Sequence, residues 1–242
     1  MWLVLGLGNP GGQYARTRHN VGFMVADRLA MRDGTTCERK QLGALVERVR
    51  IRPRGGPAHP APLGVDGDDA VLAKPQQYMN ESGQAGASLR GYYKLSNDDI
   101  VVVHDDLELP FGEVALKRGG GHGGHNGLRD LQRRLGGNDF HRVRIGIGRP
   151  PKGWDVADYV LANFTTDEQA RLDDIVDEAA DGVARVLAEG GAPSERGRGR
   201  GRRGQGARTS RRRFDASATA GSHAVHPLFR RSGRPSRRHI TF

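Results

Sequence analysis

The sequence predicts an α/β fold: a single three-layer domain with a sheet between helices. Three observations carry the prediction. Apolar runs of strand length alternate along the chain with segments of helical spacing, the pattern of layered α/β domains. These runs are bounded by stretches rich in Gly, Pro and Asp. Polar residues capable of chemistry gather where the runs end, which is where open α/β sheets hold their ligands.

Each element has its own warrant. Trp2-Leu-Val-Leu reads as a short buried strand. The glycine-rich connection Gly6 to Gly22 follows, and Val21 to Ala30 then has helical spacing, with Val21, Val25 and Leu29 on one side. Ala44 to Ile51 is a second strand with loose alternation, and Arg52 to Asp69 is expected to be a surface loop. Ala70 to Ala73 forms a short buried strand ending at Lys74-Pro75, and Ser82 to Tyr93 a helix. Asp99 to Val103 is the clearest buried strand and ends in His104-Asp105-Asp106. Val114 to Lys117 is a short strand feeding a second glycine run, Gly119 to Gly127, with a helix from about Leu128 to Leu135 after it. Phe140 to Gly148 alternates as a strand does, and Asp173 to Ala188 is strongly helical.

Composition excludes several classes. The single Cys37 rules out an intramolecular disulfide and a cysteine-based zinc cluster. No apolar run approaches the ~20 residues of a membrane helix, and no signal-peptide pattern opens the chain, so a soluble cytoplasmic protein is expected. The formal net charge of +10 belongs to one end. Residues 193–242 hold 14 Arg against Glu195 and Asp215, whereas residues 1–192 carry 24 basic and 26 acidic side chains. A catalytic domain over 1–190 and an Arg/Gly-rich tail over 191–242 are therefore expected. The tail has too few apolar residues to repay the entropy of ordering and is predicted to be disordered. It reads either as a nonspecific phosphate-binding arm or as a GC-rich gene read out of frame. The abrupt end of the preceding helical pattern favours the frameshift.

The glycine-rich connection invites a nucleotide reading, because Gly6, Gly8 and Gly11 match G-x-G-x-x-G. Pro10 fixes φ inside that motif, and about eight more polar residues delay the helix. A nucleotide-dependent oxidoreductase is thus the weaker alternative. His19 can serve as a general base near neutral pH, or it is a loop histidine satisfied by backbone. Asp105 can orient its imidazole, as a carboxylate does in a catalytic triad. No serine or cysteine nucleophile is evident, so attack by an activated water is the natural chemistry. A zinc pair at His122 and His125 is disfavoured by the glycines between them, and no metal or cofactor is expected. Asn9, Asn80 and Asn126 are neutral amides that both donate and accept, suited to peptide recognition and to an oxyanion. Lys117, Arg118, Arg129, Arg133, Arg134, Arg142 and Arg144 concentrate positive charge around the second glycine run, which suits a polyanion.

Five blocks in order resemble bacterial peptidyl-tRNA hydrolase over about residues 1–190. They are Gly6-Leu-Gly-Asn-Pro-Gly with Tyr14 and Thr17-Arg-His-Asn-Val-Gly22; Lys74-Pro75 with Tyr78-Met-Asn80 and Ser82-Gly83; His104 to Pro110; Gly119 to Gly127; and Phe140 to Gly148. The resemblance implies a mixed, twisted sheet and a monomer without metal or cofactor. It also implies hydrolysis of the ester between a peptide and the 3′-terminal ribose of tRNA. His19 is then the general base, Asp105 keeps it basic, and Asn9 discriminates N-blocked from free aminoacyl groups. Tyr14, Tyr78, Asn80 and Asn126 would line the site, Met79 and His125 would neighbour the peptide channel, and Lys117 and Arg144 would meet tRNA phosphates. Two departures stand out. Tyr78 occupies a position where the family more often has Phe, and the basic tail replaces the family's last helical segment. A non-catalytic RNA-binding module on the same fold is the remaining alternative.

Overall fold

A computed structural model describes residues 1–53 and 67–190. Strand β1 (Trp2–Gly6) is buried along its whole length. Successive side chains of a strand face opposite ways. Trp2 and Val4 accordingly join one apolar core, and Leu3 and Leu5 the other. A strand apolar on both faces needs cover on both, and that requirement produces the layers.

Six further strands extend the sheet among the described residues: β2 (Arg39–Gln41), β3 (Ala44–Ile51), β4 (Asp68–Pro75), β5 (Ile100–Asp106), β6 (Val114–Arg118) and β7 (His141–Gly146). Their spatial order is β2-β3-β4-β1-β5-β7-β6. β1 is parallel to both β4 and β5, and β5 is parallel to β7. The pairs β2–β3, β3–β4 and β6–β7 are antiparallel, so the sheet is mixed, as expected.

Helices α1 (Val21–Arg32) and α5 (Thr166–Gly190) cover one face, with Val21, Val25, Ile175 and Val183 in the core shared with Val101 and Val103 of β5. Their polar rims are laced together. Arg28 meets Asp173 and Asp177, and Arg32 meets Asp177 and Asp181, at 2.5–2.8 Å. Those carboxylates recur every four residues, the spacing that keeps them on one side of a helix. On the other face lie α2 (Ser82–Tyr93) and α3 (Asn126–Leu135), where Leu89, Leu128 and Leu131 pack with Ile100 and Val102. The buried Asp130 of α3 accepts the Gly83 N–H at 2.9 Å, supplying one of the partners that the first turn of α2 lacks.

Several boundaries differ from the sequence reading. β4 starts at Asp68 rather than Ala70, because Asp68 and Asp69 pair across to Ile51 and Arg50 of β3. β5 runs on through His104-Asp105-Asp106, paired residue by residue with Arg144-Ile145-Gly146 of β7. The polar strand β2 and the six-residue helix α4 (Val156–Leu161) were not expected, and α5 begins seven residues before Asp173. The tail over 191–242 and most of the 52–69 loop lie outside the described residues. Among the described residues no helix is long and apolar enough to cross a membrane.

Candidate active site

The three parallel central strands end on one edge of the sheet, and the polar segments following them meet there. The Leu7 N–H donates to Val103 O at 2.9 Å, so the chain leaving β1 stays beside β5 as far as His104. Past that point Asn9, the turn carrying His19, Tyr78-Met79-Asn80 and His122 to Asn126 surround an open cleft of about 1220 Å³. The expected catalytic and substrate-binding residues His19, Asp105, Asn9, Tyr14, Tyr78, Met79, Asn80, Lys117, His125, Asn126 and Arg144 line this cleft, whereas Arg118, Arg133 and Arg134 of the expected basic side do not.

At its floor stands Asp105, 3% exposed. Its Oδ1 lies 2.9 Å from His19 Nδ1 and 3.1 Å from His125 Nε2. Burial alone would raise this carboxyl, but the two imidazoles hold it well below the usual carboxylate range. Asp105 is therefore ionised and can only accept. His19 Nδ1 must carry the proton of their hydrogen bond, which leaves His19 Nε2 as the ring nitrogen with a free lone pair. Burial pulls the His19 pKa down, yet the charge and hydrogen bond of Asp105 outweigh it and the net shift is upward from 6.5.

His125 differs from His19. It is the N-cap of α3, and its Nδ1 accepts the backbone N–H groups of Gly127 and Leu128 at 3.1 and 3.3 Å. An accepting Nδ1 bears no proton, so Nε2 does, and that N–H donates to Asp105. The His104 ring stands edge-on to His125, 5.1 Å between centroids. Its Nδ1 donates to Asp105 O at 2.7 Å, and burial and His125 push its pKa down to about 3. His19, Asp105 and His125 bring three potential metal ligands within 4.8 Å of one another. Their donor set does not suit a cation. Both nitrogens facing Asp105 bear protons, and freeing His125 Nε2 would force its proton onto Nδ1 and undo the helix cap.

The amides are fixed with equal care. Asn9 Oδ1 accepts the Met79 N–H at 2.8 Å, which leaves its Nδ2 donor for the cleft. Asn20 clasps the Asn9 backbone from both sides at 2.9 Å, Oδ1 accepting from N–H and Nδ2 donating to C=O. Asn126 Oδ1 accepts from Arg129 at 2.8 Å, so Asn126 too offers Nδ2. Asn80 is exposed beside the buried Met79. At the mouth the rings of Tyr14 and Tyr78 meet edge to face, 6.4 Å between centroids.

The basic side carries less free charge than its sequence suggests. Arg118 pairs with Asp98, Arg133 and Arg134 with Asp130, and Arg144 with Asp106 at 2.8 Å. Lys117 is exposed and forms no ion pair among the described residues. Arg142, only 3% exposed, is also without a carboxylate partner among them. Its guanidinium donates to the carbonyls of Gly120 and Gly121 and shapes the second glycine run.

Three residues have structural leverage on the site that the sequence did not reveal: Asn20 and Arg18 had no expected role, and Arg142 was expected only as part of the basic side. Arg18 is buried beside His19, donates to Asn163 O at 2.9 Å and to Glu168 at 2.6 Å, and lies 4.4 Å from the Tyr159 ring centroid. Their partners lie 11 to 150 residues away, so no local pattern announces them. The only sequence signal was that each sits inside a polar block next to a candidate residue.

Comparison with known proteins agrees with this geometry. The family model described as peptidyl-tRNA hydrolase matches residues 3–198. Peptidyl-tRNA hydrolase of Kineococcus radiotolerans is 49% identical over 189 residues, 78% of this chain and 92% of that protein. The Mycobacterium avium enzyme of the same name is 48% identical over 194 residues, 80% and 94% of the two chains. The crystal structure of peptidyl-tRNA hydrolase from Acinetobacter baumannii superposes with a TM-score of 0.67 at 37% identity, covering 80% of this chain and 91% of that one. With most of its length matched and near-complete relatives about half identical, this chain belongs to the peptidyl-tRNA hydrolase family.

Proposed function

We propose that the protein hydrolyses the ester linking a peptide, or an N-blocked aminoacyl group, to the 3′-terminal ribose of tRNA, with His19 as general base. One observation carries the reading: the buried His19–Asp105 hydrogen bond of 2.9 Å, which commits Nδ1 and leaves Nε2 to act on a water in the cleft. In the reaction His19 Nε2 takes a proton from that water as its oxygen attacks the ester carbonyl. The C–O bond to the ribose then breaks, and the proton passes from the imidazolium to the leaving ribose oxygen. Asp105 stabilises the imidazolium in between. A positioned base supplies about 10²–10⁴-fold, and amide donors aimed at the developing oxyanion supply more.

Asn9 gives the substrate preference a physical basis. Its free end is a donor, because Oδ1 is held by Met79. A donor welcomes the amide carbonyl of a blocked aminoacyl group and offers nothing to a free ammonium, which can only donate. Asn126 presents a second donor of the same kind, and Asn80 lines the cleft beside Met79. Lys117, exposed at the rim, and Arg144, half-buried against Asp106, are the groups proposed to meet tRNA phosphates. Tyr14 and Tyr78 offer aromatic surface at the mouth, while Met79 and His125 border the path of the peptide.

The test is release of the acyl group from N-acetylated aminoacyl-tRNA, set against free aminoacyl-tRNA. His19→Ala is expected to lower that release by about 10³-fold with the unfolding transition preserved. Near wild-type turnover by the folded variant would remove His19 as the base, and binding of tRNA without turnover by the unaltered protein would leave only the RNA-binding alternative.

A further inference from the structure

Asp105 accepts from two imidazoles through the same oxygen, Oδ1, and the reaction described above uses only one of them. We propose that His125 is a positioning residue: its Nε2–H, held in place by the cap on α3, draws on the charge of Asp105 and so sets the pH range in which His19 is free to act as base. The proposal deepens the assignment of His19 and rests on it.

The argument is one of competition for a single acceptor. A carboxylate stabilises an imidazolium in proportion to the negative charge it presents. Each further N–H donated to the same oxygen delocalises that charge and lowers what remains for His19. The His125 donor is unusually well fixed. Two backbone N–H groups at the start of α3 occupy its Nδ1, so the ring can neither flip nor change tautomer without uncapping the helix. They also polarise the ring in the direction that strengthens the Nε2–H. His125 thus relays the positive end of α3 to the catalytic carboxylate. The His19 and His125 rings themselves lie 4.9 Å apart, close enough for charge on one to disfavour charge on the other.

The other groups facing the pair do not take over this role. From β5, His104 packs against His125 and is held neutral, its Nδ1–H spent on the Asp105 carbonyl. On the His19 turn, Arg18 directs its charge away to Glu168 at the start of α5 and lies against Tyr159 of α4. Asp106 and Arg144 are paired with each other, and the remaining charges lining the cleft are Glu108, Lys117, Arg129, Arg142 and Asp155. No hydrogen bond joins any of these to Asp105 Oδ1 among the described residues.

Two substitutions separate positioning from simple helix capping. Asparagine reproduces the Nδ1 acceptor of histidine with its Oδ1 and is a favoured N-cap, but has nothing in place of Nε2–H. Glutamine places its amide Nε2 donor near the position of the histidine Nε2. The His125→Asn variant is expected to fold as the full chain does, and to move the acid limb of the kcat/KM profile on N-acetylated aminoacyl-tRNA upward by about half to one pH unit. Activity near pH 6, taken relative to the same variant's own alkaline plateau, would then fall about three- to tenfold. His125→Gln should return the limb most of the way. NMR titration of the His19 ring in the same proteins reads the shift without reference to turnover, so an error in the assignment of the base does not hide it. A His19 titration in His125→Asn that overlays the unaltered protein, or a Gln variant displaced as far as the Asn variant, overturns the proposal.

Discussion

Two glycine-rich segments border the cleft, and they use glycine for opposite reasons. In the first, Gly6 to Gly22, the key glycines are buried where backbones touch. A Cβ on Gly22 would stand 2.5 Å from Leu7 N and from Val103 O, and one on Gly6 would run into the Gly22 carbonyl. These residues let the start of α1 press against the ends of β1 and β5, which brings the His19 turn down onto Asp105. In the second run, Gly119, Gly120, Gly123 and Gly124 have φ between 57° and 89°, and a Cβ at Gly121, Gly123 or Gly124 would meet nothing within 4 Å. There glycine supplies conformation. Composition alone would group the two segments, and would group both with nucleotide-binding loops. Geometry separates them into a packing device and a shaped rim.

That contrast yields a graded set of expectations. The largest effect belongs to Gly22→Ala, whose methyl would meet main chain just past the end of β1, at Leu7, and on β5, at Val103, neither of which can retreat. A loss of about 3 kcal/mol or more is expected in urea unfolding, and a midpoint unchanged from wild type would refute close approach as the reason for the residue. Gly124→Ala should cost about 1–2 kcal/mol, because φ there is 84° while the surrounding space is open. A loss as large as that of Gly22→Ala would mean the second run is packed after all. Gly121→Ala comes last. Its φ lies outside the left-handed region and the site is empty, so stability should stay within about 0.5 kcal/mol.

How far the sequence revealed this arrangement depended on whether a signal was local. Strands β1, β3 and β5 are apolar enough to be read directly, and α2 was delimited to the residue. β2 was missed because Arg39-Lys40-Gln41 lies at the sheet edge, paired only with β3, so it needs no apolar side chains. The polar end of β5 was read as the strand's stop, since three charged or polar residues in a row resemble a loop. They remain in the ladder because β7 pairs with them and because Asp105 and His104 find partners within the site. His19, Asp105 and Asn9 were legible from their placement at strand ends together with the family resemblance. What stayed hidden was the wiring between them. The double acceptance at Asp105, the Asn20 clasp on Asn9 and the Arg142 clasp on the glycine carbonyls all join residues far apart in the chain. Pair contacts of that kind leave no periodicity and no composition bias.

The bond from Arg18 to Glu168 spans 150 residues of chain. Translation runs from the N-terminus at roughly 5–20 residues per second. The turn that carries His19 is thus made about 8–30 s before the carboxylate that pairs with its neighbour Arg18 exists. Once β5 has been made, the growing chain holds β1, β4, β5 and His19 but still lacks the start of α5. Arg18, the neighbour of His19, therefore gains its carboxylate partner only with the start of α5, the last helix among the described residues.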